Sequence, residues 1–196
     1  MPPDIVSIIY LIIRMSPLLV VSHFVLQSIL NTDSKGMIYL TGLILTCLFA
    51  STIGAVIPDS PDTSPLDIDC KSMGLGGLSN VSISQVTLGF TYGYLMYIIF
   101  YYDTNKLSYV NLNMPTIVLF PILIFGNGFW NWKRACSKIQ ILALSLVIGL
   151  GGGVAWAYIL ITGGFKHLAL FNGISNKVLC AKSTKTKFKC VKGGNV

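Results

Sequence analysis

The chain has 196 residues, 53% of them hydrophobic and 11% charged, with a net charge of +7. Soluble domains carry about 25% charged residues. This composition, with its long uncharged runs, excludes an ordinary water-soluble globule and specifies an integral membrane protein.

The length suits one bundle of about five helices, an all-α membrane fold with a short basic C-terminal tail, rather than two domains. Residues 5–30 form the first hydrophobic segment, interrupted by Arg14, Ser16 and Pro17. Proline removes a backbone donor, and a charge at mid-membrane is costly unless it snorkels or lines a polar interior. The pattern predicts a short interfacial helix to Ile13 and a span over 15–30. The alternative places Arg14 inside the bundle against an anion. Asp4, the missing basic leader and Arg14 argue against a cleavable signal. His23 reads as a packed, hydrogen-bonded histidine.

Residues 31–36 are a turn, and 37–57 are the second span, about 31 Å long at 1.5 Å per residue. Pro58 ends it. The loop over 58–82 holds four Asp and one Lys and opens with PDSPDTSP, which excludes regular structure there. The third span, 84–102, is rich in aromatics, with Tyr101 and Tyr102 as an interfacial belt. A polar loop over 103–113 leads to the fourth span, 114–132, which contains Pro121 and ends in Trp130 and Trp132. Lys133, Arg134 and Lys138 mark the next loop. The fifth span, 139–162, sets Ser145, Gly149 and Gly153 on one face. Small residues at that spacing let helix backbones approach closely, so they read as helix-packing positions.

The tail, 163–196, carries seven of the fourteen Lys and Arg. Lys185, Lys187 and Lys189 alternate with Thr186, Phe188 and Cys190, flanked by Lys182 and Lys192. That pattern predicts a strand over about 183–192, pairing with the 168–180 region or with another chain. Its lysines would face acidic groups, and Phe188 would pack. The five Cys are scattered, without a CxxC pair, and their spacing fits neither a zinc site nor a dense disulfide framework; no metal and no cofactor are expected. A Cys180–Cys190 bridge across a tail hairpin is compatible with the spacing.

Five spans divide the charges unevenly. The N-terminal side carries five Asp against Lys71, Lys133, Arg134 and Lys138, a sum of −1. The other side carries Asp33 and Asp103 against nine Lys, a sum of +7. The positive-inside rule then predicts a cytosolic tail. The triplet Asn80-Val81-Ser82 on the far side has the form of a glycosylation sequon.

Two loops on one face, each leading into a span, resemble the type-2 phosphatidic acid phosphatase superfamily. That family has a Lys and an Arg-Pro ending one span, then Pro-Ser-Gly-His opening the next. Its third motif, Ser-Arg, five residues, His, three residues, Asp, opens the last. Here Ile57-Pro58 ends a span where Arg-Pro would stand. The run Asn80-Val81-Ser82-Ile83-Ser84-Gln85 stands where Pro-Ser-Gly-His would open the next. Lys133-Arg134 precedes the last span, whose glycines and Trp156 are similar to the family's final helix. The resemblance covers roughly 37–160 and implies a phosphatase-like bundle of about five transmembrane helices.

The family's chemistry needs two imidazoles, one attacking phosphorus and one protonating the leaving oxygen. The two His of this chain are His23 and His167, with none between them. The family's His slots fall on Ile83 and Gln140 and its Asp slot on Leu144, so no catalytic role carries over. The resemblance therefore implies a catalytically degenerate member. The Asp69-Cys70 loop, with Gly74, Gly76 and Gly77, and the Lys-rich tail also resemble phosphatase-like membrane proteins of large icosahedral DNA viruses. That implies a virion inner membrane, with capsid proteins as partners of the tail.

The leading expectation is a structural membrane protein whose tail binds an anionic lipid surface or an acidic protein, with no nucleic acid. One alternative is an active lipid phosphatase using a Cys136 thiolate beside Lys133 and Arg134. Another is a small channel or transporter lined by Arg14, His23 and the tyrosines of the third span.

Overall fold

The computed structural model describes residues 5–30, 34–57, 81–103, 113–133, 138–165, 179–182 and 188–191. Among the described residues five helices follow in order: α1 (Ile5–Leu30), α2 (Lys35–Val56), α3 (Ile83–Asp103), α4 (Met114–Lys133) and α5 (Ile139–Thr162). Each is long and apolar enough to cross a membrane. A two-stranded antiparallel ladder follows, β1 (Leu179–Lys182) with β2 (Phe188–Val191).

The helix α1 corrects the two-piece expectation. It runs unbroken for 26 residues with Pro17 inside it. Pro17 has no N–H for the carbonyl of Ile13, four residues earlier. The Ser16 hydroxyl donates to that carbonyl at 2.7 Å, so the freed acceptor is satisfied in apolar surroundings, where an unsatisfied one is costly. The apolar span begins at Leu11, which leaves half-buried Arg14 about one turn inside it, within snorkelling distance of the interface. Elsewhere Thr41, Thr46 and Ser145 also donate to carbonyls one turn back, the usual way a hydroxyl is accommodated in a lipid-embedded helix.

The helix α5 stops through its glycines. Gly163 N–H bonds Ile159 O at 2.8 Å and Phe165 N–H bonds Leu160 O at 3.0 Å. Gly164 lies at φ +83°, the left-handed position that a side chain would strain.

The bundle is organised around α3, which packs against all four other helices. About two thirds of its span is buried (67%), against a third or less of each other span. Its tightest neighbour is α5. A Cβ on Gly93 would sit 2.5 Å from Leu150 O, and Cβ atoms on Gly149 and Gly153 would run into Val86 O and Phe90 O. Gly89 and Gly93 on α3 therefore interlock with Gly149 and Gly153 on α5, and the two backbones touch directly. Without a hydrophobic force between helices in lipid, such close van der Waals contact is what holds them together.

On the other flank of α5, the Trp156 indole lies flat on α2. A Cβ on Gly42 would stand 2.5 Å from that ring, and Trp156 Nε1 donates to Ile38 O at 3.2 Å. The core beneath is aromatic. The Tyr39 ring centroid lies 5.3 Å from that of Phe24 and 5.6 Å from those of Phe90 and Tyr94. Thr91 Oγ1 donates to Thr87 O at 2.8 Å, so the Tyr39 hydroxyl donates to Thr91 Oγ1 at 2.6 Å. The buried phenol is thereby satisfied.

In the ladder, Leu179 pairs with Val191, Cys180 with Cys190, Ala181 with Lys189 and Lys182 with Phe188. Alternation then groups Cys180, Lys182, Phe188 and Cys190 on one set of positions and Leu179, Ala181, Lys189 and Val191 on the other. Within β2 the alternation separates Lys189 from Phe188 and Cys190, and pairing adds Lys182 of β1 to the set that holds Phe188 and Cys190. Each set holds one lysine, because pairing brings a second strand of different pattern alongside the first.

Candidate functional site

The start of α3, the end of α4 and the start of α5 share one end of the bundle, as an up-and-down chain requires. Here the three helices are joined by side-chain hydrogen bonds. Ser82 opens α3, its carbonyl accepting from Gln85 N at 3.0 Å and Val86 N at 3.1 Å. Its own N–H donates to Ser145 Oγ on α5 at 3.1 Å, and Ser145 Oγ donates onward to Ile141 O at 2.6 Å. Ser145 thus acts as more than a small packing residue: it ties the mouth of α3 to α5.

Between α3 and α4 stands a ladder of amides. Asn131 Nδ2 donates to Asn127 Oδ1 at 3.1 Å, Asn127 Nδ2 to Gln85 Oε1 at 3.2 Å, and Gln85 Nε2 to Ile124 O at 3.3 Å. Gln85 and Asn127 are buried and Asn131 is half-buried. Every link points the same way, from the membrane face inward to a helix carbonyl. Asn127 and Asn131 form a part of the site that sequence reasoning missed. Their signal is an i, i+4 amide pair inside an otherwise apolar span, which puts both on one face.

The motif positions differ in burial. Ile83 is half-buried, whereas Gln140 and Leu144 are exposed on the outside of α5. Lys133 is exposed and holds its Nζ 5.8 Å from the Trp130 ring centre, a cation–π contact at the helix end. Pro58, Asn80 and Arg134 lie outside the described residues, as do Lys185, Lys187 and Lys192. Lys182, Phe188 and Lys189 are placed by backbone register alone.

Chemically, the site can donate and accept hydrogen bonds. Amides and serine hydroxyls do not ionise near neutral pH, and no group of three or more His, Cys, Asp or Glu that could hold a metal ion occurs among the described residues. The tyrosines of α3 pack: Tyr94 stacks on Phe90 at 6.2 Å, Tyr92 on Phe120 at 6.1 Å, and Tyr97 meets Tyr158 edge-on at 6.3 Å. His23 differs from the packed histidine expected. It is exposed on α1, edge-on to Phe24 at 5.6 Å. A cavity of about 230 Å³ opens between α2 and α5, walled by Gly42, Thr46, Phe49, Ile148, Gly152 and Trp156. Its walls are apolar, and exposed Phe49 stands at its rim.

Comparison with protein-family models, with curated proteins and with solved structures found no match for this chain.

The amide ladder makes a direct prediction. Gln85→Leu strands Asn127 Nδ2, and Asn127→Leu strands Gln85 Oε1. Each single variant should therefore destabilise the bundle more than its share of the double variant. The coupling in a double-mutant cycle should be about 0.6–1.7 kcal/mol, the range for polar pairs between helices in membranes. Reversible unfolding in mixed micelles measures it. Strict additivity would remove the ladder as a link between α3 and α4.

Proposed function

We propose that this chain is a multi-pass membrane scaffold. In this reading it is a phosphatidic acid phosphatase-like bundle that lacks the family's chemistry, and it presents its basic C-terminal segment to an anionic lipid surface or an acidic protein. The close-packed centre of the described helices carries this reading. The α3–α5 seam brings backbone onto backbone. Tyr39, Thr91, Gln85, Asn127 and Ser145 spend their polar atoms on one another and on helix carbonyls. A centre built that way offers rigidity rather than a path or a pocket for a polar headgroup. The resemblance of the 69–77 loop and the tail suggests a virion inner membrane as the setting, with capsid proteins as the tail's partners.

The test is hydrolysis. The purified protein in detergent should release no phosphate from phosphatidic acid or a diphosphate lipid above a protein-free blank. Each missing acid–base group removes about 10²–10⁴ in rate. Turnover above the blank that disappears in Cys136→Ala would transfer the reading to a thiolate phosphatase. Turnover that survives Cys136→Ala would overturn both.

A further inference from the structure

The tail ladder places two cysteines at directly opposed positions, Cys180 on β1 and Cys190 on β2. From this register we propose that they form an intrachain cross-strand disulfide. The inference does not rest on the scaffold reading. Opposed residues of an antiparallel pair have Cβ atoms about 4.5–5.5 Å apart. A disulfide needs Cα atoms about 4.4–6.8 Å apart and Cβ atoms about 3.5–4.5 Å apart. The pair closes after a small adjustment of two strand ends.

The same ladder supplies the reason for a bond. A two-stranded hairpin alone is marginal in water, and this one has four residues in each strand. A covalent link across it removes the open forms that compete with pairing. In the reaction, a thiolate from one cysteine attacks a disulfide oxidant, either a small-molecule disulfide or a thiol oxidoreductase. The resulting mixed disulfide is then displaced by the other cysteine. Two protein thiols lose two electrons and two protons, and the oxidant's disulfide is reduced to two thiols. On a cytosolic tail the bond would be held open by reducing thiols and would form on transfer to an oxidising medium.

The experiment counts thiols on the full-length protein in membranes. The membranes are equilibrated in an oxidising glutathione buffer, acid-quenched, dissolved in SDS and labelled with a mass-adding maleimide. The chain has five cysteines, so the expected result is three labels before reduction and five after it. Cys180→Ser and Cys190→Ser should each give four labels, with or without reductant. Five labels in the oxidising buffer would overturn the proposal. So would protection of two thiols that persists in either single variant, because the bond would then lie elsewhere. A reductant-sensitive dimer in place of the monomeric shift would also overturn it.

Discussion

Gly153→Leu should destroy the compact bundle, whereas Gly151→Leu, two residues away, should leave it folded. A Cβ at Gly153 runs into the Phe90 carbonyl, with Tyr94 N 2.7 Å away, so backbone meets backbone. No rotamer relieves that clash, and α3 and α5 must separate along their whole seam. Overpacking costs about 1–3 kcal/mol where side chains can yield. Here they cannot, so the cost should reach about 4 kcal/mol or more, the range of the exceptional destabilisations. At Gly151 a Cβ meets nothing within 4 Å. Replacing a helical glycine at an open position gains up to about 1 kcal/mol of helix propensity. Gly93→Leu provides the reciprocal test from α3, since it meets Leu150 O. Thermal unfolding in detergent, followed by circular dichroism and gel filtration, reads all three. Equal behaviour of Gly151→Leu and Gly153→Leu would mean that the two helices do not touch as described.

The contrast within one glycine run explains what the sequence can disclose. Uncharged runs of membrane length are a property of composition, so the five spans are legible in the residues alone. The α5 half of the central seam is legible too, because Ser145, Gly149 and Gly153 recur every four residues. Its α3 half, Gly89 and Gly93, has the same spacing but lies among Phe90, Tyr92 and Tyr94, whose aromatic pattern masks it. The continuity of α1 is not legible, because a proline's effect depends on its neighbours: Ser16 supplies the bond that Pro17 withholds. The amide ladder is hidden for a related reason. Gln85 and the pair Asn127 and Asn131 are 42 or more residues apart, and only the pairing of α3 with α4 makes them one feature. In each case the missing information is a partner, which one-dimensional periodicity does not contain.

The same principle shapes the tail's expected behaviour. Replacing Lys182, Lys185, Lys187, Lys189 and Lys192 together with Gln should lower binding to anionic vesicles by about 3.5 orders of magnitude, at roughly 1 kcal/mol for each lysine near the surface. Had the lysines formed one row, a few on that row would dominate. The ladder register puts Lys182 and Lys189 on opposite sets of positions, so these two lysines do not share one row. The loss should therefore grow with the number of lysines replaced, whichever are chosen, with each single Lys→Gln costing about fivefold by that same per-lysine figure. Salt should reproduce the trend, since the screening length falls from about 10 Å at 0.1 M to about 3 Å at 1 M. The measurement uses full-length protein in nanodiscs, titrated with phosphatidylserine vesicles at several salt concentrations. Binding that ignores salt, or that vanishes with a single lysine, would replace diffuse attraction by a specific pocket. Strong binding to an acidic protein with none to the vesicles would assign the tail to a protein partner instead of a lipid surface.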